Sequence, residues 1–149
     1  MQHRRLSALW LNIALPLILC GLAGVASAKS EIKGAAILDQ PCGKTSVKQM
    51  GLVHAGKMEE ANKLTTKEMQ EQWKAMPAKD KTMMSGMMKE MSQTEDQYAA
   101  DIKANGVLVV DGANAVLTVK KTTKDKNGSS TSSMTQNFKI DGNQCLVSR

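Results

Sequence analysis

The chain has 149 residues and a formal net charge of +6. Only 3% of its residues are aromatic. They are not interleaved with the basic cluster (Lys120, Lys121, Lys124 and Lys126), which excludes the stacking platform of a nucleic-acid-binding protein. No glycine-rich phosphate loop, Ser-His-Asp set, Cys-His pair or pair of carboxylates stands in a catalytic pattern. We therefore expect a protein without catalysis and without a cofactor.

The first 28 residues have the layout of a secretory signal peptide. Arg4 and Arg5 form a positive start, an apolar run covers about residues 6–24, and residues 26–28 read Ala-Ser-Ala, a cleavage site. An uncleaved membrane anchor and lipidation at Cys20 are the alternatives. Cleavage removes 28 of the 149 residues and two of the six net positive charges. The 121 residues that remain, 29–149, predict a single periplasmic or secreted domain.

Two cysteines, Cys42 and Cys145, lie in the mature chain. An even pair in an exported protein predicts one disulfide. This disulfide would close a loop of about 100 residues, for which the chain-entropy model gives a stabilisation of roughly 4 to 5 kcal/mol. Two reduced thiols that bind a metal ion are the alternative, although the chain has no CxxC pair.

Helical patterns occupy the first part of the mature chain. Residues 29–40 fit either an edge strand or a short helix. Cap residues, Gly56 and Pro77 then delimit further helices. The first begins after Thr45 or Ser46 and runs to about Ala55. The others cover residues 57–64, the stretch from a cap at Thr65 or Thr66 to about Ala75, and residues 79 to about 92. Residues 98–102 lead into the sheet.

The last third of the chain, residues 105–147, predicts four short antiparallel strands. Asp-Gly or Asn-Gly pairs begin at positions 111, 127 and 141, and such pairs favour tight hairpins because these turns need positive φ. Residues 124–133 are expected to form a long polar loop. Alternation predicts that Ala115, Leu117 and Val119 share one face. We expect an α+β fold with N-terminal helices packed on a C-terminal four-stranded antiparallel sheet.

Five methionines between Pro77 and Thr94 are the most unusual feature of the sequence. On a helix they fall within an arc of roughly 140°; they are Met83, Met84, Met87, Met88 and Met91. They either fill the core, or form an adaptable apolar pocket wall or partner surface, or bind Cu(I) through their thioethers. In the last interpretation Met84 and Met88, or Met87 and Met91, share an ion.

Three other side chains are candidates for a site. His54 is predicted on the apolar stripe of its helix, either as a satisfied inward histidine or as a pocket group that anchors a ligand or binds a metal ion beside Met50 and Met58. Trp73 is expected in the wall of the same pocket. Asp101 is a candidate base for proton transfer, although a solvent-facing alternation explains it equally well.

A resemblance to a known superfamily follows from two parts of the sequence. Residues 54–61, His-Ala-Gly-Lys-Met-Glu-Glu-Ala, and the strand-turn-strand end at residues 106–142 resemble small exported bacterial members of the nuclear transport factor two-like, or cystatin-like, superfamily. The likeness spans about residues 46–147, but Asn-Gln-Cys at 143–145 stands where such tails often place a Trp. The resemblance implies a curved sheet wrapped around a helix, forming a cone with a pocket, and no single activity.

These observations predict a non-catalytic periplasmic binding or interaction protein. Its partner would be an apolar small molecule or an envelope protein, with no nucleic acid, and with a membrane only through an uncleaved or lipidated N-terminus. The predicted site residues are His54, Trp73, Met83, Met87, Met88 and Met91. A periplasmic Cu(I) or Ag(I) binder is the alternative function. A proton-transfer enzyme and a toxin-neutralising protein are further alternatives.

Overall fold

The computed structural model describes residues 29–125 and 128–149. The predicted signal peptide, with Cys20, lies outside the described residues. So does Asn127, the first residue of the predicted Asn-Gly turn. Within the described ranges, no helix is long and apolar enough to cross a bilayer.

The helices precede most of the sheet along the chain. Strand β1 (Ser30–Lys33) and a 3-10 helix (Gly34–Asp39) come first. The α-helices follow as α1 (Pro41–His54), α2 (Met58–Asn62), α3 (Lys67–Ala75), α4 (Ala78–Met91) and α5 (Glu95–Asn105). The remaining strands are β2 (Gly106–Asp111), β3 (Asn114–Asp125), β4 (Gly128–Asp141) and β5 (Gln144–Ser148).

The sheet is an antiparallel meander in the order β1-β2-β3-β4-β5. The predicted α+β class, with helices packed on an antiparallel sheet, is confirmed. The predicted number of strands is wrong, because the sheet in the described residues has five strands. The additional strand is β1, which pairs Ser30 with Val110 and Lys33 with Val107. It satisfies backbone groups of β2 that would otherwise form an open edge.

Two of the predicted hairpin turns are confirmed. Gly112 and Gly142 follow Asp111 and Asp141 and adopt φ of +57° and +56°, in the left-handed region that glycine enters without steric cost. Glycine as the first central residue is typical of the two-residue loops that fit the twist of a hairpin.

The predicted polar loop at residues 124–133 is wrong. Strand β3 continues to Asp125 and β4 begins at Gly128, with Lys121 opposite Ser132 and Thr122 opposite Thr131. The two threonine hydroxyl oxygens lie 3.2 Å apart and form a cross-strand hydrogen bond. Threonine fits extended backbone well, and cross-strand hydroxyl pairs stabilise a ladder that has no apolar side chains.

The core lies between one face of the sheet and the helices. Ala115, Leu117 and Val119 share this face, as the alternation predicts, and each is at most 4% exposed. Tyr98 and Ile102 of α5 pack on it from the helical layer. Residues 98–102, which were predicted only to lead into the sheet, belong to α5, which begins at Glu95 after a capping box formed by Thr94 and Gln97.

A disulfide joins α1 to the last strand. Cys42 and Cys145 are bonded, with their Cα atoms 4.9 Å apart, which confirms the predicted pairing. Cys42 lies in the first turn of α1, which begins at Pro41 instead of after Thr45 or Ser46. Proline suits this position because its fixed φ matches a helix and its missing N–H leaves no donor unpaired. Ser46 is consequently a buried residue of α1 and not a cap.

Candidate functional site

An apolar cavity of about 190 Å³ lies between α1, α2, α3 and α4. Five of the eleven methionines line it: Met58, Met69, Met76, Met84 and Met88. Val53, Ala61 and Trp73 complete its apolar wall, and the lining also contains amide and hydroxyl side chains and Arg149. We call this cavity the methionine groove. It combines flexible, polarisable thioethers with one aromatic ring.

Trp73 is held firmly in the wall of the methionine groove. Its side chain is 8% exposed. The indole Nε1 donates a hydrogen bond of 2.9 Å to Glu59 Oε1, and Lys81 Nζ lies 5.7 Å from the centre of the ring. Because the only polar atom of the indole is already paired, Trp73 presents only its apolar ring surface to a ligand.

The methionine face of α4 is divided between two environments. No residue of α4 (Ala78–Met91), which the structure describes in full, is buried. Met84 and Met88 border the groove and are 38% and 40% exposed. Met83, Met87 and Met91, here called the outer methionine stripe, are 63%, 57% and 76% exposed. The core-filling interpretation is therefore wrong for this helix, because its arc of methionines is wider than its contact with the rest of the domain.

The predicted site residues are only partly brought together. Trp73 and Met88 line the methionine groove, whereas Met83 and Met87 do not. Met91 lies instead beside a separate polar cleft of about 290 Å³ between the end of α4, α5 and the β3–β4 hairpin.

His54 is not on a buried face of α1, so this prediction is wrong. It is the last residue of the helix and is exposed, with Nδ1 3.4 Å from Ser92 Oγ. The helix ends there with Ala55 as its C-cap, and Gly56 follows with a φ of +74°. The expected grouping with Met50 and Met58 does not form around the groove either: Met58 lines it, whereas Met50 packs against the core.

Two groove methionines, Met69 and Met76, were not predicted, and Met58 was predicted only as a possible metal ligand beside His54. A signal for the first two exists, because Met69, Trp73 and Met76 are spaced i, i+4 and i+7 and so share one face of α3 and its C-terminal turn. No local pattern shows that this face lies opposite Met84 and Met88 of α4, since that depends on how the helices pack.

Asp101 lies in the polar cleft and not in the methionine groove. Its Oδ2 accepts a hydrogen bond of 3.0 Å from Gln93 Nε2 and lies 3.7 Å from Lys121 Nζ. Its side chain is 29% exposed. Both partners contact the same carboxylate oxygen, so they fix the orientation of this side chain at the wall of the cleft.

A buried polar network lies between the cleft and the groove. The hydroxyl oxygens of Tyr98 and Ser46 are 3.3 Å apart and hydrogen-bonded. Ser46 Oγ donates to Gln136 Oε1, and Gln136 Nε2 donates to Gln49 Oε1. Burial raises the pKa of the Tyr98 hydroxyl, the hydrogen bond with Ser46 opposes this, and the charge of Asp101 adds to it. The network satisfies polar atoms that would be costly to bury alone.

Hard metal ions have no evident site in the described parts of the chain. Among residues 29–125 and 128–149 there is no group of three or more His, Cys, Asp or Glu side chains that could hold an ion.

Comparison of the chain with protein-family models, curated proteins and solved structures found no match. The resemblance to the cone-shaped superfamily therefore stays a prediction.

Proposed function

We propose that this protein is a non-catalytic binding protein that takes a small apolar molecule into the methionine groove. The observation that carries the proposal is the convergence of five methionines and Trp73 on one cavity. The disulfide between Cys42 and Cys145 supports an oxidising compartment, and we place the protein in the periplasm or outside the cell. The cone-like curvature of the sheet that the resemblance implies is part of the same proposal, but the residues that line the groove come from the helical layer and Arg149 and not from the strands.

The size of the groove limits the ligand. Its volume of about 190 Å³ is below the range of roughly 300–1,000 Å³ that is usual for pockets of drug-sized ligands. A molecule with one or two rings is therefore the best match. Thioether sulfurs contact aromatic ring edges favourably, by about 0.3–1.5 kcal/mol per contact.

The chemistry of the lining favours an apolar ligand over a polar one. Arg149 is the only charged residue that lines the groove, and the indole N–H of Trp73 is already paired with Glu59. Methionine side chains also repack at little cost, so the groove tolerates ligands of differing shape.

An envelope protein is the alternative partner, through the outer methionine stripe. We favour the small molecule because the groove is concave and encloses apolar surface from several helices, whereas the stripe lies on one exposed helix. A concave apolar site removes more ligand surface from water, which is the main source of affinity for an apolar molecule.

Indole is a suitable test ligand, and methionine labelled with ¹³C in its methyl group reports the position. We expect indole to shift the methyl signals of the groove methionines and to leave those of the outer methionine stripe in place. Met69→Gln should weaken this binding at least about tenfold, because an amide in the lining loses its hydration. Met87→Gln is the matched control and should bind indole like the unchanged protein.

Two results would contradict the proposal. One is the absence of any shift at millimolar indole, and the other is an equal shift in the groove and in the outer methionine stripe. Equal loss of binding in Met69→Gln and Met87→Gln would agree with the second of these results, because it would place the ligand on the outer methionine stripe as well as in the groove.

A further inference from the structure

We infer that the methionine groove also binds one soft monovalent metal ion, Cu(I) or Ag(I), through thioether sulfurs. This inference does not rest on the proposed function, because it depends on sulfur as a donor atom and not on the apolar character of the lining. A leucine in place of a methionine separates the two properties.

The donors come from different segments of the chain. Met58 belongs to α2, Met69 to α3 and Met84 and Met88 to α4, while Met76 directly follows α3. All five line the same cavity. Met84 and Met88 are one helical turn apart and provide an adjacent pair of sulfurs, and the other three belong to the remaining walls. Tertiary packing thus selects this pair over Met87 and Met91, which do not line the groove.

The uncharged donor set determines which ions fit. Thioethers are soft ligands that select Cu(I) and related ions, whereas Mg²⁺, Ca²⁺ and Mn²⁺ prefer carboxylates, carbonyls and water. The groove lining contains no histidine, cysteine or carboxylate side chain. Arg149 is the only charged residue in the lining, and its positive charge opposes a divalent ion more strongly than a monovalent one, whose dehydration is also less costly.

Competing ligands in the described residues are few and lie elsewhere. Cys42 and Cys145 are joined in the disulfide, and His54 is exposed at the end of α1 without lining the groove. Glu59 Oε1 is near the groove but accepts the indole hydrogen bond of Trp73. A soft ion therefore has two sets of thioether donors among these residues, the groove methionines and the outer methionine stripe, and only the groove methionines come from several segments around one cavity.

The test uses the oxidised full chain with ¹³C-methyl methionine, titrated with silver nitrate in chloride-free buffer. We expect the first equivalent of Ag(I) to shift the methyl signals of Met58, Met69, Met76, Met84 and Met88. The outer methionine stripe should respond only to excess silver. Competition with a chromogenic Cu(I) chelator measures the affinity for Cu(I), and zinc should leave the groove signals unchanged.

The decisive variants replace sulfur and keep apolar volume. Met69→Leu, Met84→Leu and Met88→Leu together should weaken Ag(I) and Cu(I) binding at least about a hundredfold, since volume-conserving swaps are well tolerated but remove three donors. The matched control combines Met83→Leu, Met87→Leu and Met91→Leu and should bind both ions unchanged. If the triple groove variant unfolds, the single variants Met69→Leu and Met84→Leu take its place. Each should bind Ag(I) and Cu(I) more weakly than the control variant of the outer methionine stripe.

The two proposals fail in different ways. Unchanged metal affinity in the groove variants, equal loss in the control, or a zinc response as strong as that to silver would overturn the metal site. Indole binding that persists in the leucine variants while Ag(I) binding is lost would support both proposals. Absence of indole binding to the unchanged protein, together with shifts of the groove methionines at the first equivalent of Ag(I), would overturn the proposed function and support the metal site.

Discussion

Trp73 and Glu59 are joined by a hydrogen bond of 2.9 Å from the indole Nε1 to the carboxylate Oε1, which ties α3 to α2 at the methionine groove. The indole is almost fully buried, at 8% exposure. This contact positions the largest apolar side chain of the groove, so its loss affects both the stability of the domain and the shape of the site.

Glu59→Ala should lower the free energy of unfolding by about 1–3 kcal/mol, because it leaves a buried indole N–H without an acceptor. Glu60→Ala is the control: its carboxylate is 55% exposed and lies 3.8 Å from Lys57 Nζ, and it should change the free energy of unfolding by less than about 0.5 kcal/mol. Urea denaturation measures both. Equal effects of the two substitutions would contradict this role of Glu59.

Two glycines in helices provide a second test. A Cβ added at Gly43 of α1 would lie 1.9 Å from the backbone oxygen of Ile37 in the 3-10 helix, whereas one at Gly86 of α4 meets nothing within 4 Å. Gly43→Ala should therefore destabilise the domain by several kcal/mol, because backbone has to move. Gly86→Ala should stabilise it by about 0.5–1 kcal/mol through helix propensity. Thermal denaturation of both variants measures these effects. A Gly43→Ala variant as stable as the unchanged protein would contradict the close packing of Gly43 against Ile37.

Removal of the disulfide should cost about 4 to 5 kcal/mol of unfolding free energy, because Cys42 and Cys145 are separated by 103 residues and the open chain gains entropy. The double variant Cys42→Ser and Cys145→Ser should unfold at lower denaturant concentration than the oxidised protein. Mass spectrometry without reduction should find the oxidised chain lighter than its reduced form by two hydrogen atoms. Free thiols in protein purified from the cell envelope would contradict the disulfide.

Tyr98 should make stability fall at alkaline pH. It is the only tyrosine in the chain, so phenolate absorbance reports its titration alone. Burial raises its pKa above the ordinary value of 10.0, and the folded state therefore favours the neutral phenol. This contribution is fully present below about pH 10 and is lost as the pH rises through the raised folded-state pKa.

The matched variant is Tyr98→Phe, which keeps the ring and leaves Ser46 its hydrogen bond to Gln136. We expect the unfolding free energy of the unchanged protein to fall more steeply above pH 10 than that of Tyr98→Phe. Two outcomes would contradict a raised pKa of Tyr98. One is the same pH dependence of the unfolding free energy in both proteins, and the other is phenolate absorbance below pH 10 in the folded protein.

Much of the sheet could be predicted from the alternation of apolar and polar residues along the strands and from the Asp-Gly pairs at the turns. The shared face of Ala115, Leu117 and Val119 and the turns at Gly112 and Gly142 could be predicted because alternation and positive φ are properties of neighbouring residues. The extra strand β1 and the continued β3–β4 ladder could not, because each depends on a partner strand that supplies the missing hydrogen bonds.

The candidate site divides in the same way. The sequence alone determined that α4 carries a face of methionines and that Cys42 has Cys145 as its partner, since helical periodicity and an even cysteine count are visible without coordinates. Only the tertiary structure decided that Met84 and Met88 meet Met69 across a cavity while the outer methionine stripe and His54 stay exposed. Helical period indicates which residues share a face, but the packing of one helix on another decides what that face contacts.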